Sequence, residues 1–213
     1  MKTRVKDLSD IPAGFGNEHQ SSQQIFRSAL KALSYPGRLV DVHHDACTPE
    51  GTNTVIAGML LALLDSETSL WCSNSNHMYL ATEWLKFHTD CVVFETPGQA
   101  DFLWIDHIQD LPNLENLKRG TDQYPDRSAT CIINVPNLSE KSSSFYQLRG
   151  PGIESQQNFT LNGWLEKDHH IFLEFWNKNT KYFPCGVDVY MSDGFHLLGL
   201  PRTTQLKYVQ GEA

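Results

Sequence analysis

A hairpin-like block near the C-terminus constrains the fold more than any other stretch of the chain. From Val187 to Met191 every second residue is apolar, and Asp193-Gly194 then supplies the residue types that a two-residue turn requires. Pro184 and Pro201 cannot donate an N–H to a sheet ladder, so each marks an end of strand pairing. The sequence therefore predicts an antiparallel hairpin between these two prolines.

The rest of the chain alternates between predicted helices and strands. Amphipathic or apolar spacing predicts helices at 21–35, 55–64, 78–87 and 161–176. Runs of β-branched and aromatic residues predict strands at 39–43, 69–73, 91–94, 101–106, 129–135 and 144–149. Because both hairpins and crossover connections are expected, the predicted fold is α/β, with three α/β/α layers and a mixed sheet.

Local signals predict where two of these helices begin. Ser21 and Gln24 have the spacing of a capping box, and Pro36-Gly37 would stop the helix that follows them. Asn53 or Thr54 would cap the second helix.

Composition excludes several classes of protein. A chain of 213 residues, 40% of them apolar, can bury roughly 70% of its unfolded surface as one compact domain. The net charge of −8 and the absence of a basic run disfavour nucleic acid as a partner. The longest apolar run, 55–64, is about half of what a bilayer requires, so a membrane span is not expected.

Cysteine usage and the first residues favour a reducing compartment. The five cysteines are an odd number without a close pair, as expected of reduced thiols. Lys2, Arg4 and Lys6 are not followed by an apolar segment, so the cytoplasm is the expected location.

Histidines and cysteines do not form a recognisable reactive motif. The neighbouring pairs His43-His44 and His169-His170 cannot converge on one metal ion by themselves, so no metal site is predicted. Cys185 could act as a nucleophile beside His88 or His196, but a small core residue is the favoured interpretation.

Three features suggest binding rather than catalysis. Asp188 within an apolar strand should lie on the solvent face or pair with an arginine. The turns Arg149-Gly150-Pro151-Gly152 and Arg202-Thr203-Thr204 could hold a phosphate or a partner carboxylate. The alternative is that each arginine caps carbonyl groups at a strand end. If the turns do bind a ligand, a protein partner is favoured over a small anion because the chain is acidic.

Short blocks spread along the chain carry a family resemblance. They are Phe26-Arg27, Pro36-Gly37, Phe87-His88-Thr89, Gly120-Thr121, Arg149-Gly150-Pro151-Gly152, Phe183-Pro184-Cys185-Gly186 and Pro201-Arg202-Thr203-Thr204. In this order and spacing they resemble the H subunits of bacterial carbon-phosphorus lyase, the PhnH family. The likeness runs from about Gln20 to about Val209. It implies a variable lead-in at 1–20 and a single PhnH-like α/β domain at 21–213.

The resemblance implies a role in an assembly. Members of the family work with the G, I and J subunits in bacterial phosphonate use. They support the step in which an alkylphosphonate displaces the adenine of ATP to give a ribose 1-alkylphosphonate 5-triphosphate. The I subunit is regarded as the nucleosidase, so this chain is expected to be an accessory subunit that is not catalytic alone and dimerises when isolated. Its fold is expected to resemble the large domain of pyridoxal-phosphate-dependent transferases, without the cofactor.

The predicted binding residues combine the two turns with positions in other blocks. They are Arg202, Thr203, Thr204, Asp188, Arg149, Gly150, Gly152, Arg27 and His88. No catalytic residue, metal or cofactor is predicted. Two alternatives stay open: a stand-alone enzyme or binding protein for a small anion such as phosphate, phosphonate or a nucleotide, and a cofactor-dependent transferase whose lysine is not recognisable from its context.

Overall fold

The structure, a computed structural model, describes residues 11–74, 78–140 and 144–211. Within these ranges the helices are α1 (Glu18–Ser34), α2 (Thr54–Leu63), α3 (Met78–Thr89) and α4 (Glu166–Thr180). The strands are β1 (Val40–Asp41), β2 (Ser69–Cys72), β3 (Val92–Val93), β4 (Phe102–Ile105), β5 (Thr130–Asn134), β6 (Asn137–Ser139), β7 (Phe145–Arg149), β8 (Gln157–Asn162), β9 (Asp188–Ser192), β10 (His196–Leu200) and β11 (Gln205–Val209).

Seven strands form the central sheet, in the order β1-β10-β9-β5-β4-β2-β3. The five strands from β9 to β3 are parallel to one another, and β10 is antiparallel to both of its neighbours. The predicted mixed sheet is therefore confirmed. Its parallel part buries both faces, as the nearly continuous apolar sequences of β4 and β5 require.

The two faces of this sheet pack against different layers. Trp104 of β4 points toward α1, α2 and α3 and joins their cluster of buried residues. Its neighbour Leu103 points the other way, into a cluster with α4 and strands β6, β7 and β8. These strands and β11 form a second, antiparallel sheet in the order β11-β7-β8-β6. One outer layer is thus helical, whereas the other combines a helix with a small sheet that was not predicted.

The helix predicted at 161–176 was wrong at its start. Leu161 lies in β8, and α4 begins only at Glu166. The apolar spacing of Leu161, Trp164 and Leu165 imitates a helical stripe. Leu161 is in fact one of three consecutive buried residues of β8, and Trp164 and Leu165 lie in the connection to α4.

The C-terminal hairpin is confirmed, but its turn is longer than two residues. Ser192 pairs with Leu197, and the chain turns through 193–196. Within the turn only Gly194 has a positive φ. The Asp193 carboxylate accepts hydrogen bonds from the backbone N–H groups of Phe195 and His196, at 3.0 and 2.8 Å, and so closes a wider turn.

Of the two predicted helix caps, one is confirmed and one is wrong. Asn53 caps α2 through a hydrogen bond from Ile56 N at 3.1 Å. Helix α1 begins earlier than predicted, with Asn17 as its cap, so Ser21 lies within the helix. The Ser21 hydroxyl is buried and donates to Asp45 Oδ1 at 2.6 Å. In the part of the chain that the structure describes, no helix has the length and hydrophobicity to cross a bilayer.

Candidate functional site

The Arg202–Asp188 pair is the most strongly connected of the predicted binding residues. Asp188 begins β9 and Arg202 follows β10, so the antiparallel pairing of these strands brings the two residues together. Arg202 Nη2 lies 2.6 Å from Asp188 Oδ2, and Arg202 Nε lies 3.2 Å from Oδ1. The backbone N–H of Arg202 also donates to Oδ1, at 2.8 Å. Of the two positions expected for Asp188, pairing with an arginine is the one that the structure shows.

The remaining donors of the Arg202 guanidinium hold a neighbouring loop. Nη1 donates to the carbonyl oxygen of Pro125 at 2.7 Å, and Nη2 donates to Ser128 Oγ at 2.5 Å. The side chain is 13% exposed and its Asp188 partner 23%. Each guanidinium nitrogen therefore already donates to the protein, and the geometry fits a clamp that fixes the 125–128 loop to the strand ends.

The two arginine-bearing turns lie against each other. Arg149 pairs with Gln205 across β7 and β11, which places the Gly150 turn beside the 201–204 turn. Gly150 has a φ of +147°, and a Cβ at this position would come within 3.1 Å of Thr203 O. Gly152 has a φ of +82°, and a Cβ at that position would lie 2.5 Å from Ser34 O. A side chain at either glycine would disturb the contact between backbones.

The other residues of these turns differ in exposure. Thr203 is half-buried, whereas Thr204 is buried and its carbonyl accepts a hydrogen bond from Trp176 Nε1 at 3.1 Å. The Thr204 hydroxyl is buried without a hydrogen-bond partner among the described residues. Arg149 is exposed, and its guanidinium forms no ion pair within the described ranges. Of the guanidinium groups in the two turns, that of Arg149 is the more accessible.

Arg27 and His88 lie apart from these turns. Arg27 is exposed on α1. The ring nitrogen Nε2 of His88 on α3 is 3.0 Å from the carbonyl oxygen of Pro12, which also accepts a hydrogen bond from Trp84 Nε1 at 2.9 Å. His88 thus helps to attach the 11–16 segment to α3. The structure brings together Asp188, the 201–204 turn and the 149–152 turn, but neither helical residue joins them.

Cys185 does not have the surroundings of an activated nucleophile. Its Sγ lies 3.6 Å from Asp122 Oδ1, and neither His88 nor His196 is its partner. Desolvation and the carboxylate of Asp122 raise the pKa of the Cys185 thiol. The thiol is therefore protonated at neutral pH. Among the described residues, no three His, Cys, Asp or Glu side chains are placed to hold a metal ion.

Sequence reasoning missed a polar cavity at the carboxyl ends of the parallel strands. Its volume is about 390 Å³, and such crevices are where open α/β sheets commonly bind ligands. Asp106, Asn134 and Asp193 line it, each within the last or next position of β4, β5 and β9. A polar residue at or directly after the end of each of these three strands, which are neighbours in the sheet, is the signal that could have revealed it. The wall is completed by Trp164, His107 and Asp168.

Hydrogen bonds connect the side chains of this cavity. Asn134 Nδ2 donates to Asp106 Oδ1 at 3.2 Å, and Asn53 Nδ2 donates to Asn134 Oδ1 at 2.8 Å. His107 Nε2 lies 3.3 Å from Asp106 Oδ2. Burial by itself would raise the pKa of Asp193, but N–H donors led by His196 and Leu138 hold that pKa below its usual value. Among the described residues that line the cavity there are three aspartates and neither lysine nor arginine, a set that disfavours a phosphate or phosphonate group.

Comparison with known proteins gives a family match over most of the chain. The family of bacterial phosphonate metabolism proteins called PhnH matches residues 13–207. The chain is similar to the alpha-D-ribose 1-methylphosphonate 5-triphosphate synthase subunit PhnH of Rhizobium meliloti (strain 1021). The two are 29% identical over 200 residues, which cover 93% of this chain and 97% of the relative.

A second relative matches over a similar span. It is HtxG of Stutzerimonas stutzeri, named as a candidate C-P lyase subunit. The identity is 26% over 189 residues, covering 86% of this chain and 85% of the relative.

Proposed function

Because the chain belongs to the PhnH family of bacterial phosphonate metabolism proteins, we propose that it is an accessory subunit of the carbon-phosphorus lyase core complex. In this role it supports the formation of alpha-D-ribose 1-methylphosphonate 5-triphosphate from ATP and an alkylphosphonate. The observation that carries the proposal is the near full-length match to a relative named as a subunit of the synthase for that compound.

The side chains described above favour a supporting role over catalysis by this chain alone. Arg202 uses its donors on Asp188, Pro125 and Ser128. The cavity at the strand ends has a negative lining, which suits neither a triphosphate nor a phosphonate. The Cys185 thiol has a raised pKa. A subunit that contributes surfaces rather than a reactive group accounts for all three observations.

The proposal includes several finer points. The partners are the G, I and J subunits, the isolated chain is a homodimer, and the location is the cytoplasm. In this proposal the 149–152 and 201–204 turns bind a carboxylate group of a partner subunit, and the exposed Arg149 is available for that contact. The mixed sheet between two outer layers is also compatible with a likeness to the large domain of pyridoxal-phosphate-dependent transferases.

Co-expression with the proposed partners tests the function. The chain is purified alone and together with the G, I and J subunits, and the mass of each species is measured by light scattering after size exclusion. We expect a dimer of the 24.2 kDa chain alone and a stable larger complex on co-expression. An unrelated protein of similar size, carrying the same affinity tag, controls for non-specific capture. A chain that stays separate from the other subunits would contradict the proposal.

Growth provides an independent test. Cells that lack this gene should fail to grow with methylphosphonate as the phosphorus source and should grow normally on phosphate. Restoring the gene should restore growth on methylphosphonate. Normal growth of the deletion strain on methylphosphonate would show that the chain is not required for the pathway.

A further inference from the structure

The outer face of α1 carries an apolar row and a basic row side by side. Phe26 and Leu30 are one helical turn apart and lie on the same face, with exposed fractions of 48% and 50%. Arg27 follows Phe26 in the sequence and Lys31 follows Leu30. The two basic residues therefore form a second exposed row beside the apolar one. The two rows together present apolar surface beside positive charge.

The same character continues beyond the end of the helix. Tyr35 is 46% exposed, and the Arg38 guanidinium lies 5.2 Å from the centre of its ring. This cation–π contact holds a further aromatic surface and a further positive charge next to the helix. We define the α1 patch as the six exposed residues Phe26, Arg27, Leu30, Lys31, Tyr35 and Arg38.

Packing of α1 onto the protein does not account for the α1 patch. The helix is attached through its opposite face, where Ile25, Ala29 and Ala32 are buried. Its backbone is also tied to the sheet, because the Tyr190 hydroxyl donates to Ala29 O at 3.1 Å. Single exposed apolar residues are ordinary, but a contiguous group with tyrosine and arginine has the composition of a protein interface.

The charge of the α1 patch is opposite to that of the chain as a whole. The chain has 25 acidic and 17 basic residues, yet no Asp or Glu occurs between Glu18 and Asp41. Arg27, Lys31 and Arg38 form no ion pair within the described ranges. Outside the α1 patch, at the start of the helix, Glu18 and Asp65 line a cavity with Ser22.

We propose that the α1 patch is the docking surface for an apolar face of another protein chain that carries Asp or Glu residues. A second copy of this chain is a poorer occupant, because a two-fold contact through the same patch on both copies would bring only positive charges and apolar side chains together. The inference rests on the proposed function, in which that partner chain is a subunit of the carbon-phosphorus lyase complex.

Charge reversal on the α1 patch tests this assignment. The variant Arg27→Glu/Lys31→Glu is compared with Lys167→Glu/Lys207→Glu, which makes the same change of charge at exposed positions on α4 and β11. Binding to an immobilised, purified assembly of the G, I and J subunits is measured at several salt concentrations. The α1 variant should bind about tenfold or more weakly than the unmodified chain and lose most of its salt dependence, whereas the control should bind as the unmodified chain does.

A second pair of variants tests the apolar row. Phe26→Ser/Leu30→Ser should weaken binding by about tenfold or more, mainly through faster dissociation. The matched control is Phe195→Ser, which alters a side chain that is 76% exposed elsewhere on the surface. All variants should keep the circular dichroism spectrum and the unfolding midpoint of the unmodified chain, because the altered side chains are exposed.

The outcomes separate this inference from the proposed function. If the unmodified chain binds the assembly and both α1 variants bind equally well, the assignment of the α1 patch is wrong while the proposed function stands. If the unmodified chain does not bind, both are contradicted. If the isolated chain is a dimer and the α1 variants become monomers, the patch serves a second copy, and the occupant proposed here is wrong.

Discussion

At the scale of single residues, the Arg202–Asp188 pair illustrates how an expected binding residue can have a structural task. Strand alternation allows Asp188 either a solvent-facing or an arginine-paired position, and the sequence offers the Arg202 guanidinium beside two hydroxyl groups either for binding or for capping carbonyl groups. The structure joins the two at 2.6 Å and directs the remaining guanidinium nitrogen to Pro125 O. The binding role of Arg202 stays a prediction, and its contribution to stability can be measured separately.

Replacing Arg202 should destabilise the fold. Arg202→Ala would leave the carboxylate of Asp188 without its cation and would release the Pro125–Ser128 segment. Because both partners are largely shielded from water, we expect a loss of about 2–3 kcal/mol in the free energy of unfolding, measured by urea denaturation.

Arg149→Ala is the matched control for that experiment. Its guanidinium is exposed, so the free energy of unfolding should change by no more than about 0.5 kcal/mol. Equal losses for the two variants would show that the hydrogen bonds of Arg202 contribute little to stability.

At the scale of elements, α2 shows how a local cap can also connect distant strands. Asn53 accepts a hydrogen bond from Ile56 N, as an N-cap does. Its Nδ2 also donates to Asn134 Oδ1 on β5 and to Ser192 O at the end of β9, at 2.8 and 3.0 Å. The start of α2 is thereby fixed to the carboxyl ends of two parallel strands.

Asn53→Ala should therefore cost more than the loss of an ordinary cap. We expect the free energy of unfolding to fall by about 2 kcal/mol or more, since the cap and the contacts to both strands disappear together. The comparison is Asn17→Ala, which removes the exposed cap of α1 and should cost about 1 kcal/mol or less. Both are measured by chemical denaturation. Similar losses would indicate that the contacts of Asn53 to β5 and β9 add nothing to its capping role.

At the scale of the whole molecule, the large sheet separates two cores, and a partly buried histidine lies on each side of it. His44, beside α2, is partly buried, and this burial lowers its pKa although Thr54 O and Asp45 act in the opposite direction. On the other side of the sheet His169 stacks on Tyr208 and hydrogen-bonds to the Tyr146 hydroxyl, at 2.6 Å through Nδ1. Burial lowers the pKa of His169 as well.

These two histidines should make the protein less stable in mild acid. An unfolded histidine has a pKa of about 6.5, so below that pH the unfolded chain binds protons that the folded chain does not yet bind. The free energy of unfolding should be greatest above pH 6.5 and decrease as the pH falls from there toward the lower pKa values of the folded state, below which these two groups add no further loss. Denaturation curves between pH 7.5 and pH 5 would measure this slope.

Substitution of His169 tests the origin of the slope. His169→Gln should reduce the loss of stability on acidification, because one of the two shifted groups no longer titrates. If His169→Gln has the slope of the unmodified chain, protonation of His169 does not limit stability in this range.

A further loss is expected at lower pH. Asp45, Asp101 and Asp193 each have a lowered pKa. For Asp101 and Asp193, hydrogen bonds outweigh the opposite effect of burial. For a carboxyl group with a lowered pKa, stability is present above the unfolded value of about 3.9 and is lost as the pH falls through the folded value.

The sequence by itself determined the features that depend on short-range physics. Alternation predicted Val189 and Met191 on one face of β9, and β-branched and aromatic residues predicted β4 and β5. Asn53 or Thr54 marked the start of α2, where Asn53 is the cap. Each of these follows from the period of an element or from a hydrogen bond within a few residues. The order of short blocks identified the family, because blocks far apart in the chain can be compared without knowledge of the fold.

Tertiary structure alone decided what depends on long-range pairing. Strand β11 carries an alternating pattern, yet only its register with β7 makes it part of a sheet and brings the turn at Arg149 beside that at Thr203. Sequence spacing could not say that Asp106 and Asn134 would share one cavity, since parallel strands align side chains that are 28 residues apart. The exposure of Phe26 and Leu30 likewise depends on which face of α1 the sheet covers, and that choice is made by packing rather than by helix propensity.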